Sequence, residues 1–148
     1  MGVGMTEASD IIERLGLRPL PVEGGYFTET WGGDHFSSIY YLLAAPGYSA
    51  WHRLDRDEVY AFHAGSALTV HLLGPGGYRS ARLGTDLRAG ERPQLVVPAG
   101  TWQASETAAW SLVGTVVVPP YTDECVEFGT PSLVADRPEL ARLLPAAP

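Results

Sequence analysis

The chain has 148 residues, 45% of them hydrophobic and 18% charged, which fits one ordinary globular domain with a single core. Its formal net charge is −7 and its ten cations are all arginines scattered along the chain, which excludes a nucleic-acid partner because phosphate binding depends on clustered positive charge. A domain of this length buries roughly 70% of the surface its unfolded chain exposes, so it needs no metal or disulfide staple and any metal would serve function.

Residues 1–10 lack the basic start and apolar run of a signal peptide, and no apolar stretch approaches ~18 residues. A soluble, cytoplasmic protein with no membrane partner is expected, and the lone Cys125 suits a reducing compartment. Met5 is an alternative start that would leave residues 1–4 as a tag. Ala8, Ile11, Ile12 and Leu15 recur at helical spacing, with Thr6 or Ser9 to cap the helix and Gly16 to end it. The Glu23-Gly24-Gly25-Tyr26 stretch has neither the lysine nor the following helix of a phosphate-binding loop; it reads as a tight turn feeding the first strand.

Beyond it, runs rich in β-branched and aromatic residues alternate with Gly and Pro punctuation. Strands are predicted near 26–31, 36–43, 49–52, 58–63, 67–73, 78–83, 94–97, 111–118 and 125–128. Their short spacing points to an all-β sandwich or barrel. Near the end, Asp136 and Glu139 flank Pro138 in a capping-box pattern before Leu140, Leu143 and Leu144, predicting a second short helix that stops at Pro145. One domain over 1–148, with a core of about 6–144, follows from the absence of repeats and linkers.

The stretch from Trp51 to Gly65 carries the chemistry. His52, Glu58 and Gly65 fall on three positions of the first cupin motif, with Leu54 where a second His is usual; Pro98, Gly100 and Gln103 follow the second motif, with Gln103 in place of its His. Four blocks extend the likeness: Glu23 to Phe27, Ser38 to Leu43, Trp51 to Arg53 with Asp57-Glu58, and Pro93-Gln94 with Val96 to Trp102. Ser111 to Val116, leading into Pro119, looks like a closing strand. On these residues the chain resembles cupin family 5, and the resemblance implies a single-domain cupin, a double-stranded β-helix or jelly-roll barrel with short N- and C-terminal helices, and a homodimer.

The cupin metal site normally uses three His and one Glu. The counterparts here are His52, Glu58 and Gln103, a poor set for zinc or copper and passable only for a harder ion, so the expected cofactor is none or a weakly held divalent metal. Without metal, His52 beside Glu58 forms an acid/base pair, and Tyr26, Tyr60 or Tyr121 is a candidate proton donor by analogy with sugar-nucleotide epimerases of the wider fold. Tyr60 and Phe62 share strand parity with Glu58 and are candidate pocket walls, and Trp51 and Trp102 flank the motif residues as ring surfaces or plugs. Arg53 is a candidate rim charge. Gln103 reads equally as a ligand contact or as a loop amide tying down backbone. His63, His71 and His35 fall on no cupin ligand position, and Cys125 has no basic partner nearby in sequence to make it a nucleophile.

The expected ligand is a small polar or anionic metabolite in the lumen. The leading function is isomerisation, epimerisation or elimination with His52 as base; the alternatives are a metal-dependent oxygenase or lyase, and a non-catalytic metabolite-binding protein.

Overall fold

Strand-forming runs dominate from residue 18 to residue 128, and the computed structural model, which describes residues 3–146, folds them into two facing antiparallel sheets. A helix, α1 (Val3–Leu15), precedes them. It ends where Gly16 takes φ 65°, and the amides of Gly16 and Leu17 turn back onto the carbonyls of Glu13 and Ile12. That is the terminator the sequence predicts. The start differs: the helix begins at Val3, so Thr6 and Ser9 lie inside it and neither is its N-cap. Of the four residues read as a tag, Met1 and Gly2 lie outside the described residues.

The strands are β1 (Arg18–Pro19), β2 (Tyr26–Gly32), β3 (Ser37–Ala44), β4 (Ser49–Leu54), β5 (Asp57–Gly65), β6 (Leu68–Gly74), β7 (Gly77–Leu83), β8 (Gln94–Val97), β9 (Trp102–Thr107), β10 (Trp110–Val118) and β11 (Val126–Phe128). One sheet runs β1-β2-β3-β10-β5-β8 and the other β11-β4-β9-β6-β7. Alternation along each strand sends Tyr41, Leu43, Tyr60, Val70, Leu72, Val97 and Val113 into the space between the sheets, where they form the main core.

The opposite side of the five-stranded sheet is also covered. Trp51 on β4 and Ala104 on β9 pack there against Val134, Leu140 and Leu143 of the C-terminal segment. This segment consists of two 3-10 turns, Pro131–Val134 and Pro138–Leu143. The predicted short C-terminal helix is present as a 3-10 helix, but its capping box does not form: Arg137 is the N-cap and no side chain caps it. With Pro138 at the first turn and Pro145 just beyond, the segment is too short to propagate i→i−4 bonding.

Two strands were not predicted. β1 is a two-residue edge piece containing a proline, and β9 has the polar sequence Trp-Gln-Ala-Ser-Glu-Thr. It becomes a strand because β4 and β6 flank it and take up its backbone groups on both sides. Tertiary pairing overrides weak local propensity there. Among the described residues no helix is long and apolar enough to cross a membrane.

Candidate functional site

Adjacent residues on β4 divide the molecule. Trp51 points to the outer layer, whereas His52 and Leu54 point between the sheets and line a cavity of about 120 Å³. Its wall also carries Leu20, Phe27, Ile39, Tyr41, Glu58, Tyr60, Thr115 and Val117, with Glu23, Glu29, Ser37 and Tyr121.

His52 is 3% exposed, and its Nδ1 lies 2.7 Å from the Ala50 carbonyl. A carbonyl only accepts, so Nδ1 carries a hydrogen and the neutral ring presents a lone pair at Nε2. That nitrogen has no hydrogen-bond partner among the described residues; the nearest opposite charge is Glu23 Oε1 at 3.7 Å. The tautomer is thus held by backbone, not by Glu58.

Glu58 is inward on β5 and 7% exposed. The Gln103 amide donates to its Oε1 at 2.8 Å, and Gln103 in turn accepts the Tyr60 hydroxyl. Burial pushes the Glu58 carboxyl up and Glu23 adds to this, against the downward pull of His52 and Gln103. Burial likewise raises the Tyr60 phenol well above its usual range, with Glu58 and Glu23 contributing, and holds Tyr121 at about 12. Both phenols stay protonated at any physiological pH.

Glu23 reaches the cavity from a turn that the sequence presents only as a Gly-Gly signal. Gly24 and Gly25 have φ 96° and 79°. A Cβ on Gly24 would meet the Tyr48 carbonyl oxygen at 2.4 Å, and one on Gly25 would meet the Tyr41 ring. Only glycine permits this approach. The turn is fastened by the Ala50 amide donating to the Glu23 carbonyl, the Tyr41 hydroxyl donating to the Gly24 carbonyl, and Ser49 Oγ donating to Glu23 Oε2 at 3.0 Å. Val22, just before Glu23, has φ 67°, a costly conformation for a β-branched residue.

Among the sequence candidates, His52, Glu58, Tyr60 and Tyr121 line the cavity. Gln103 lies behind them; it sits on a strand rather than a loop, is 1% exposed, and bridges Glu58 to Tyr60. Five others are placed elsewhere. Trp51 is fully buried in the outer layer with its indole N–H donating to the Leu140 carbonyl, and Trp102 packs on that layer beneath the Arg53 guanidinium. Arg53 is tied to Glu127. Phe62 does share the parity of Glu58 but packs further along β5 against the core, and Tyr26 is not among the lining residues. The placement of both tryptophans follows from strand alternation: the neighbours of an inward residue face outward.

Glu23 and Tyr41 were missed as site residues. Both lay within the sequence blocks that carried the family likeness, and the signal for Glu23 was its place beside the paired glycines.

Of the expected metal trio, Gln103 is bonded to Glu58 and stands opposite His52 in the β4–β9 register. Among the described residues no group of three His, Cys, Asp or Glu side chains is placed to hold a metal ion. Gln103 spends its amide on Glu58 and Tyr60, and the apolar Leu54 lines the cavity where a second imidazole would stand. This donor set does not fit a cupin metal.

Comparison with known proteins agrees with the architecture. The model of the family Cupin_5, described as Cupin superfamily (DUF985), matches residues 9–129. The chain belongs to this cupin family. A protein of solved structure from Shewanella oneidensis is 36% identical, with TM-score 0.86 over 95% of this chain and 98% of its own. A hypothetical protein from Leishmania major is 27% identical, with TM-score 0.85 over 95% and 99%. Oxalate decarboxylase from Bacillus subtilis, 14% identical with TM-score 0.62 over 87% of this chain and 37% of its own, shares the fold alone. No curated protein matches. The cupin is accordingly a jelly roll of two facing sheets, and His52 and Glu58 stand on its motif positions.

Proposed function

We propose that this cupin is an enzyme that moves a proton on a small polar metabolite held in the cavity between its sheets, as in an isomerisation, epimerisation or elimination. One observation carries the reading: a buried imidazole, its tautomer locked by the Ala50 carbonyl, presents a free Nε2 to a cavity also lined by three carboxyls, those of Glu23, Glu29 and Glu58. A fixed base in a partly dry site is the requirement for general-base catalysis. His52 Nε2 takes the proton. Tyr121, whose hydroxyl has no hydrogen-bond partner among the described residues, supplies one from the cavity wall. Tyr60 is less suited, since its hydroxyl is committed to Gln103. A cytoplasmic setting is consistent with the free, buried Cys125.

The test begins with a thermal-shift screen of small polar compounds, since a ligand selective for the native state raises its apparent stability. Deuterium incorporation from heavy water into each binder then reads proton transfer directly. His52→Ala is expected to reduce incorporation by about 10² or more while circular dichroism shows an intact fold. Undiminished incorporation in that variant would show that His52 is not the base. Saturable binding without any incorporation would make the protein a binder and end the enzymatic reading.

A further inference from the structure

The cavity wall is one-sided in its chemistry. Among the described residues it carries three carboxylates, Glu23, Glu29 and Glu58, and neither lysine nor arginine. The chain contains no lysine at all. The nearby guanidiniums are not lining groups: Arg18, on the edge strand β1, is held over the Phe27 ring at 4.9 Å, and Arg56 is bound to Asp55 and the Pro120 carbonyl.

Hydrogen-bonding capacity is skewed the same way. Two of the three lining phenols point their hydrogens away from a ligand, Tyr41 to the Gly24 carbonyl and Tyr60 to Gln103. His52 Nε2, on a side chain 3% exposed, faces the cavity as an acceptor without a donor. Open to the cavity and without a protein partner among the described residues, this lone pair favours an occupant that brings a donor. The rings of Tyr41, Tyr60 and Tyr121 complete the wall, and aromatic rings favour organic cations.

We infer that the occupant of this cavity is a compact organic cation, an alkylammonium or amidinium compound, which narrows the small polar or anionic metabolite expected from the sequence and drops its anionic option. The inference rests on the lumen being the ligand site of the proposed reaction and names its substrate class. An anion would enter against Glu23 and Glu58 with no fixed positive partner, a desolvation cost with nothing to offset it. A cationic head bearing N–H or polarised C–H groups would meet Glu23 and Glu58, leaving a hydroxyl at the other end to donate to His52 Nε2 or a carbonyl to accept from the Tyr121 hydroxyl.

Size narrows the class further. A cavity of about 150 Å³ accepts benzene, so the enclosed space here suits about six non-hydrogen atoms. A nucleotide sugar is far too large for it.

Calorimetric titration tests this with matched probes at about pH 8, where carboxylates are ionised. Ethanolamine and choline are the cations, 3,3-dimethylbutan-1-ol is the neutral isostere of choline, and glycolate is the anion. At least one cation is expected to saturate the protein about tenfold or more tightly than the alcohol or glycolate, with Glu23→Gln and Glu58→Gln each weakening it about tenfold. Glu106→Gln, outside the cavity, is expected to leave affinity unchanged. Tighter binding of the alcohol or glycolate, or no saturation by either cation up to ~10 mM, overturns the inference, and this comparison on the unmodified protein does not depend on a variant folding. Cation affinity that survives both glutamine substitutions also overturns it.

The outcomes separate the two readings. Cation binding without His52-dependent deuterium incorporation leaves this inference standing and removes the enzymatic one. His52-dependent incorporation into a neutral or anionic compound, with the cations excluded, does the reverse.

Discussion

Two histidine–carboxylate pairs lie on opposite faces of the same five-stranded sheet, and they have opposite characters. On the outer face His71 uses both ring nitrogens, one on Glu106 at 2.7 Å and one on the Tyr78 hydroxyl at 2.8 Å. Arg142 holds both Glu106 oxygens at 2.7 Å, and with His71 it holds that carboxyl down at about 2. In the lumen His52 has one nitrogen free, Glu23 stands 3.7 Å away, and burial pushes Glu58 up. A satisfied network ties the C-terminal segment to the barrel, whereas an incompletely satisfied one in a cavity is available to a ligand.

The comparison is broken most directly at neighbouring residues of β4. Trp51→Ala is expected to cost about 4 kcal/mol by urea unfolding, because it empties a fully buried site and orphans the Leu140 carbonyl, while His52→Ala costs about 1 kcal/mol. Equal losses would mean that the lumen is as structural as the outer layer. His71→Ala is next, at about 2 kcal/mol, since Glu106 and Tyr78 each lose a partner, and it should leave ligand binding in the cavity unaltered. A change in cavity affinity with His71→Ala would join the two networks that we separate.

Glu58→Gln sharpens the contrast in the other direction. Its amide oxygen still accepts from Gln103, and the variant is expected to be more stable by about 1 kcal/mol at neutral pH and inactive. Because the folded carboxyl is raised, the native protein is penalised as pH climbs past 4.5, so the gain should vanish near pH 4. Loss of stability at neutral pH would show that the charge is structurally useful.

The smallest effect has the opposite sign. Glu106 is depressed from 4.5 to about 2, so its contribution is complete above pH 4.5 and fades as pH falls towards 2. Solvent screening of this part-exposed pair reduces the contribution to about 1 kcal/mol. Glu106→Gln should therefore flatten the acid branch of the pH–stability curve between those values, and an unchanged branch would remove Glu106 from the account.

Much of this is readable from residues alone. Alternating β-branched and aromatic runs between turn signals specify an all-β domain because a two-residue period has one buried face, and the spacing of His52, Glu58 and Gly65 marks the motif. The paired glycines announce a tight turn before the first strand. Other features arise only when distant segments meet. The strand at Trp102–Thr107 forms because β4 and β6 flank it, and through it Gln103 becomes a buried bridge instead of a loop amide. Trp51 and Trp102 leave the lumen because the C-terminal turns supply an apolar cover on the other face. Glu23 reaches His52 across 29 residues of chain because Gly24 and Gly25 allow the backbone to press against Tyr48 and Tyr41. Local sequence sets the period and the bends, but which charges share a cavity depends on which faces are brought together, and that is a property of the closed pair of sheets.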